Sequence, residues 1–111
     1  MFSRLADVIE YRKTHPSARS YTTSLLTGGV PQIGRKIIEE AEEVVEAGLE
    51  PLETRQKHVV HEAADIVYHL FVLLSHCDIS LSQLEAELER RFGVSGLEEK
   101  AARAGGGGSG E

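Results

Sequence analysis

Arg35-Lys36-Ile37-Ile38-Glu39-Glu40-Ala41-Glu42-Glu43 is answered, after 18 intervening residues, by Glu62-Ala63-Ala64-Asp65. Each stretch carries two acids three positions apart, Glu40 with Glu43 and Glu62 with Asp65. Advancing about 100° per residue from Glu40, Ile33 falls near +20°, Val44 near +40°, Ile37 near +60° and Ala47 near −20°. Glu40 therefore lies inside an apolar stripe. Glu43, at about −60° by the same count, sits at its edge, while Glu42 points to the far side. Taking Glu62 as zero at about 100° per residue, Leu73 falls near +20°, Ile66 near +40°, Asp65 near −60° and Val72 near −80°. The helix bearing Glu62 is apolar almost all round, which predicts a central, buried element. Two helices thus aim two carboxylates each toward a core.

Outward from these stretches the chain reads as helices joined by short breaks. A first helix is expected from about Phe2 to Thr14, ended by Pro16 and the polar residues after it. Ser20 is placed to cap a short helix through Leu26, closed by Gly28-Gly29. Pro31 opens the helix that carries Glu40 and runs to Gly48. Pro51 opens the next, extending to about Cys77. Ser80 and Gln83 form a capping box for a last helix ending near Phe92-Gly93. No alternating apolar–polar run suggests a strand. The expected organisation is a helical domain over 1–93 and a C-terminal extension over 94–111, whose Gly105–Gly110 is almost pure Gly and Ser.

With 111 residues the chain has the size of one domain and a modest core, which dimerisation would help. Its formal net charge of −6 and lack of Trp argue against binding nucleic acid or a membrane surface. The lone Cys77, in an apolar run, reads as a small core residue in a reducing cytoplasm. The stretch from Ile66 to Leu74 is too short to cross a bilayer.

A buried carboxylate without a partner costs several kcal/mol, and four together repel one another. Bases neutralise them, or they surround a cation. Oxygen-only ligands suit a hard ion, Mg²⁺ or Mn²⁺. An i,i+3 pair on neighbouring turns is close enough to share one ion. A zinc site of His58, Glu62, Asp65 and His69 is the competing arrangement, because both histidines share the Glu62 face. Otherwise His69 hydrogen-bonds within the core, as an outer partner of Asp65.

The pattern E-E-x-x-E…E-x-x-D resembles that of the all-α MazG-like nucleoside triphosphate pyrophosphohydrolases. Ser20-Tyr21-Thr22 with Leu25-Leu26, Tyr68-His69-Leu70 after Asp65, and Gly96-Leu97-Glu98-Glu99-Lys100-Ala101 narrow the resemblance to the phosphoribosyl-ATP pyrophosphatases of histidine biosynthesis. Ile38 stands where many members of that branch carry a small residue, and the glycine tail is not part of the pattern. The resemblance implies a four-helix-bundle-type fold completed by a homodimer. It also implies hydrolysis of 1-(5-phosphoribosyl)-ATP, a small-molecule nucleotide, to the AMP derivative and pyrophosphate. Glu40, Glu43, Glu62 and Asp65 would hold Mg²⁺, with Glu39 an outer group or general base. Lys36, about −40° from Glu40, meets a substrate phosphate or pairs with Glu40. Arg12, Lys13 and Arg19 clamp the phosphoribosyl phosphate or are solvated, and Tyr21 joins the substrate-binding set. Two rival readings share these features: a MazG-like enzyme for dUTP, dCTP or a damaged nucleotide, and a non-enzymatic helical dimer.

Overall fold

A computed structural model describes residues 1–93. Four helices account for nearly all of them: α1 (Phe2–Thr14), α2 (Tyr21–Gly48), α3 (Leu52–His76) and α4 (Leu81–Phe92). No strand occurs among the described residues. The expectations for the C-terminal extension and for Gly96–Ala101 fall outside them. The chain divides into a unit Met1–Asp78, holding α1 to α3, and a second unit from Ile79 onward, of which α4 is the described part.

Local chemistry sets the boundaries. Ser20 caps α2 by accepting from the Thr23 amide. Within α2 the helix breaks at Gly29 (φ 74°, ψ −166°), two residues before Pro31. This is the break expected at Gly28-Gly29, although the helical segments on either side run into one element. Pro51 stands in extended conformation as the N-cap of α3. Ser80 and Gln83 make both bonds of a capping box at the start of α4. In its last turn Arg90 and Arg91 donate to Glu87, which holds that carboxyl down to about 2.

In the first unit α2 and α3 form the principal packed pair, joined by the short turn at Leu49–Pro51. Ile33, Glu40 and Ala47, seven residues apart on α2, are all buried, so the stripe read from periodicity is real. Helix α1 packs against both, mainly on the C-terminal half of α3. There Phe2 meets Phe71 edge-on, Ile9 is buried, and Ser75 Oγ donates to Glu10.

The sequence suggested that α3 is buried all round, and it is not. Its buried residues are His69, Phe71, Val72 and Ser75, whereas Leu52 and Val60 are exposed. The reason is coverage: α1 reaches the later half, and beyond it a two-helix hairpin cannot cover both faces of either helix. Cys77, expected in the core, is exposed just past the end of α3. Among the described residues no single helix is long and apolar enough to cross a membrane.

Candidate metal centre and active site

The α2–α3 hairpin carries all the acids singled out in the sequence. One carboxylate oxygen each from Glu40, Glu43 and Glu62 lie within 4.8 Å of one another. A second group, His61, Glu62 and Asp65, meets the same criterion, so Glu62 is common to both. The four expected ligands therefore do not converge on one point. Three meet directly, and Asp65 joins through Glu62. Nor do all four face a core: Glu40 is buried, Glu62 and Asp65 are half-buried, and Glu43 is exposed. The hairpin has an open side at this level, and the acids line its edge.

Burial makes these acids costly in different ways. Glu62 Oε1 is a buried side-chain oxygen without a hydrogen-bond partner, which costs roughly 1–3 kcal/mol when nothing fills the place. The Glu43 carboxyl is pushed above its ordinary value, first by its contact with the Glu62 carboxyl, then by burial and by the charges of Glu62 and Glu39. Two carboxyl groups at that separation share a proton or a cation. An oxygen-rich cluster with an unsatisfied oxygen is the donor set of a hard divalent ion, and these residues could hold one. They border a cleft of about 480 Å³ lined by Glu43, Glu46, Glu50, Lys57, His58 and His61 among others.

The histidines divide differently from expectation. His58 Nδ1 lies 2.6 Å from Glu50 Oε1, and His69 bonds Glu40 and Tyr21, so a zinc site built from both does not form. His69 is a core histidine as expected, but its side-chain partner is the Glu40 carboxylate; from Asp65 it meets only the backbone oxygen. His61, which the sequence reading passed over, stands 3.6 Å from Asp65. Its i,i+4 spacing to Asp65 was the available signal.

The residues expected to meet substrate are scattered. Lys36 Nζ lies 3.3 Å from Glu39 Oε1 rather than pairing with Glu40, and that bond, with the nearby Tyr21 and Glu39, raises its pKa. Tyr21 is about half exposed; burial of its hydroxyl raises its pKa, opposed by Lys36. Arg12 and Arg19 are exposed. Lys13 is committed elsewhere: its ammonium donates to the Ser75 carbonyl at 2.7 Å and to Asp78, tying α1 to the end of α3. Ile38 is 64% exposed, so its bulk does not disturb packing beside Glu39.

Fold and site define an all-α scaffold with clustered carboxylates able to hold a metal ion. Residues 2–92 match the family model described as phosphoribosyl-ATP pyrophosphohydrolase. A phosphoribosyl-ATP pyrophosphatase of Rhodopirellula baltica is 48% identical over 100 residues, covering 90% of this chain and 83% of the relative. That of Geotalea daltonii is 45% identical over 96 residues, covering 86% and 88%. That of Rhodobacter capsulatus is 44% identical over 101 residues, covering 91% and 95%. The chain belongs to the phosphoribosyl-ATP pyrophosphohydrolase family and is a hydrolase.

Proposed function

We propose that the chain hydrolyses 1-(5-phosphoribosyl)-ATP to 1-(5-phosphoribosyl)-AMP and pyrophosphate, the second step of histidine biosynthesis, with Mg²⁺ held by Glu40, Glu43 and Glu62, and by Asp65 in the adjoining group that shares Glu62. The observation that carries the reading is the meeting of Glu40, Glu43 and Glu62 within 4.8 Å around a buried oxygen that lacks a partner. The names of the relatives support the substrate. Mn²⁺ is a fitting substitute, because it accepts the same oxygen donors.

In the reaction the α–β anhydride bond breaks, water supplies the new oxygen, and pyrophosphate leaves with the bonding electron pair. Held by these carboxylates, Mg²⁺ would supply positive charge against the polyphosphate and the leaving group. Glu39, exposed and hydrogen-bonded to Lys36, is proposed to take the proton from the attacking water. Lys36 would exchange that contact for a substrate phosphate oxygen. Arg12 and Arg19 are proposed for the phosphoribosyl phosphate, and the half-exposed Tyr21 ring for the nucleotide.

A homodimer belongs to the same proposal. Ile38, Val45 and Leu49 on α2 or its end, with Leu52 and Val60 on α3, are large apolar side chains left at the surface. On α2 and its end, Ile38, Val45 and Leu49 follow one helical stripe at about 100° per residue, and an exposed apolar stripe suits an interface. Cytoplasmic placement is proposed with it, since an exposed lone thiol such as Cys77 suits a reducing compartment.

The direct test is pyrophosphate release from phosphoribosyl-ATP measured beside dUTP, dCTP and common nucleoside triphosphates, with and without chelator. The expected result is turnover of phosphoribosyl-ATP alone, abolished by chelation and restored by Mg²⁺. Preference for another triphosphate would assign a different substrate to the same acids. Undiminished turnover in chelator would remove the metal from the mechanism.

A further inference from the structure

Glu40 is the one proposed ligand that is buried, and a buried carboxylate needs a donor. His69 provides it. Its Nδ1 lies 2.9 Å from Glu40 Oε1 and 2.9 Å from the Asp65 carbonyl oxygen. An ionised carboxylate and a carbonyl only accept, so Nδ1 carries the hydrogen and donates. On the opposite edge Nε2 lies 3.0 Å from the Tyr21 hydroxyl. In the neutral ring that nitrogen accepts, and the hydroxyl donates to it. His69 is 4% exposed. Tyr21 and Tyr68 both pack edge-on to it, with ring centroids 5.9 and 5.0 Å away.

The mounting is itself secured. Tyr21 follows directly on the Ser20 cap, and the next residue, Thr22, bonds the Tyr68 hydroxyl through Oγ1 at 2.5 Å. The first turn of α2 is therefore fastened to neighbouring residues of α3 at two points. A carboxylate has room for about four acceptor contacts, so one bond from His69 orients Glu40 and leaves capacity for an ion. Ligating carboxylates are commonly held in this way, and loss of such a partner costs about 10–100-fold in metal affinity.

We infer that His69 is a positioning residue: an imidazole, seated between Tyr21 and Glu40, that fixes the Glu40 carboxylate for the ion. The inference rests on the proposed role of Glu40 as a ligand. It concerns the empty-handed protein as much as turnover, because the carboxylate is oriented before substrate arrives.

The test is Mn²⁺ binding to the full chain without substrate, followed by loss of the free-ion electron paramagnetic signal. His69→Phe keeps a ring and removes the donor, and should raise the Mn²⁺ Kd by about 10–100-fold. His69→Asn carries an amide N–H near the place of Nδ1 and should recover most of that loss. His69→Gln carries its amide near the place of Nε2 and should not. A merely structural need for a buried polar group would not separate Asn from Gln, so equal affinities in those two variants overturn the inference, even where the Phe variant fails to fold. Nitrogen-15 spectra of the wild-type imidazole should show Nδ1 protonated; a bare Nδ1 also overturns it. Glu40→Ala distinguishes the two levels. If it binds Mn²⁺ as the wild type does, the ligand reading itself falls; if it loses Mn²⁺ while folded His69→Phe does not, only the role of His69 falls.

Discussion

Glu40 and Glu62 face each other from α2 and α3 with the same chemistry and opposite circumstances. Glu40 is buried, but its charge has a donor in His69, behind which stand Tyr21 and the capped start of α2. Glu62 is less buried, yet it keeps an oxygen that nothing in the protein satisfies, and its other neighbours are acids and His61. One side of the cluster is held by the protein's own donors, and the other keeps an oxygen without one. A protein that needed these acids only for packing would have satisfied both, since unpaired buried polar atoms are rare in native structures.

The contrast is sharpest in paired alanine variants. Glu62→Ala should lower kcat/KM on the order of 10³-fold, the rate equivalent of several kcal/mol of lost charge stabilisation. It should also stabilise the metal-free protein by on the order of 1 kcal/mol, seen as a raised Tm, because an unsatisfied oxygen is removed. Glu40→Ala should cost a similar factor in kcat/KM but lower the metal-free Tm, since a charged hydrogen bond contributes roughly 1.5–3 kcal/mol. Calorimetry of both proteins in chelator checks the pair. Shifts of the same sign would break the distinction between the satisfied and the unsatisfied acid.

Lys36→Met should reduce kcat/KM by about tenfold with Mn²⁺ affinity unchanged, because its exposed pairing with Glu39 contributes little to stability. Tighter Mn²⁺ binding with normal turnover would assign Lys36 to charge pairing alone. The smallest effect is expected far from the cluster, at Lys13 and Asp78. The hydrogen bond from Lys13 holds the Asp78 carboxyl below its ordinary range. Its contribution is complete above the unfolded carboxyl value of about 3.9 and fades as pH falls through the lower folded value. Thermal melts of wild type and Asp78→Asn should therefore differ slightly at neutral pH and converge in acid. Lys13→Met should show a similarly small loss of stability with KM unchanged; a raised KM would return Lys13 to the phosphate clamp.

The parts legible in the sequence are those decided locally. Ser20, Pro51 and the Ser80–Gln83 box mark helix starts through their own backbone chemistry, and the row Ile33–Glu40–Ala47 follows from helical periodicity. What stayed hidden depended on a third element or on choosing between neighbours. The exposure of Leu52 and Val60 reflects where α1 stops, which no pattern within α3 records. Lys36 had glutamates at both i+3 and i+4, and spacing could not choose between Glu39 and Glu40. The bond from His69 to Glu40 joins residues 29 apart, so the family-like Ser-Tyr-Thr and Tyr-His-Leu segments gave no hint that they touch. His61 was within reach of the i,i+4 rule through Asp65, but it projects from α3 off the face shared by His58 and His69.

The break at Gly29 has a geometric consequence. Tyr21 and Glu40 belong to one helical element, and along a straight rod their positions would stand about 28 Å apart and roughly 100° out of phase. Yet both reach opposite edges of a single imidazole. The chain must therefore double back between them, and the non-helical residue within that span is Gly29, at torsion angles open essentially to glycine alone. The space around it is not crowded: an added Cβ would find its nearest neighbour, His76 Cε1, at 3.7 Å. What glycine contributes there is freedom of torsion rather than room. The reach between the Tyr21 hydroxyl and a buried carboxylate is set by one backbone rotation, at a residue that touches neither.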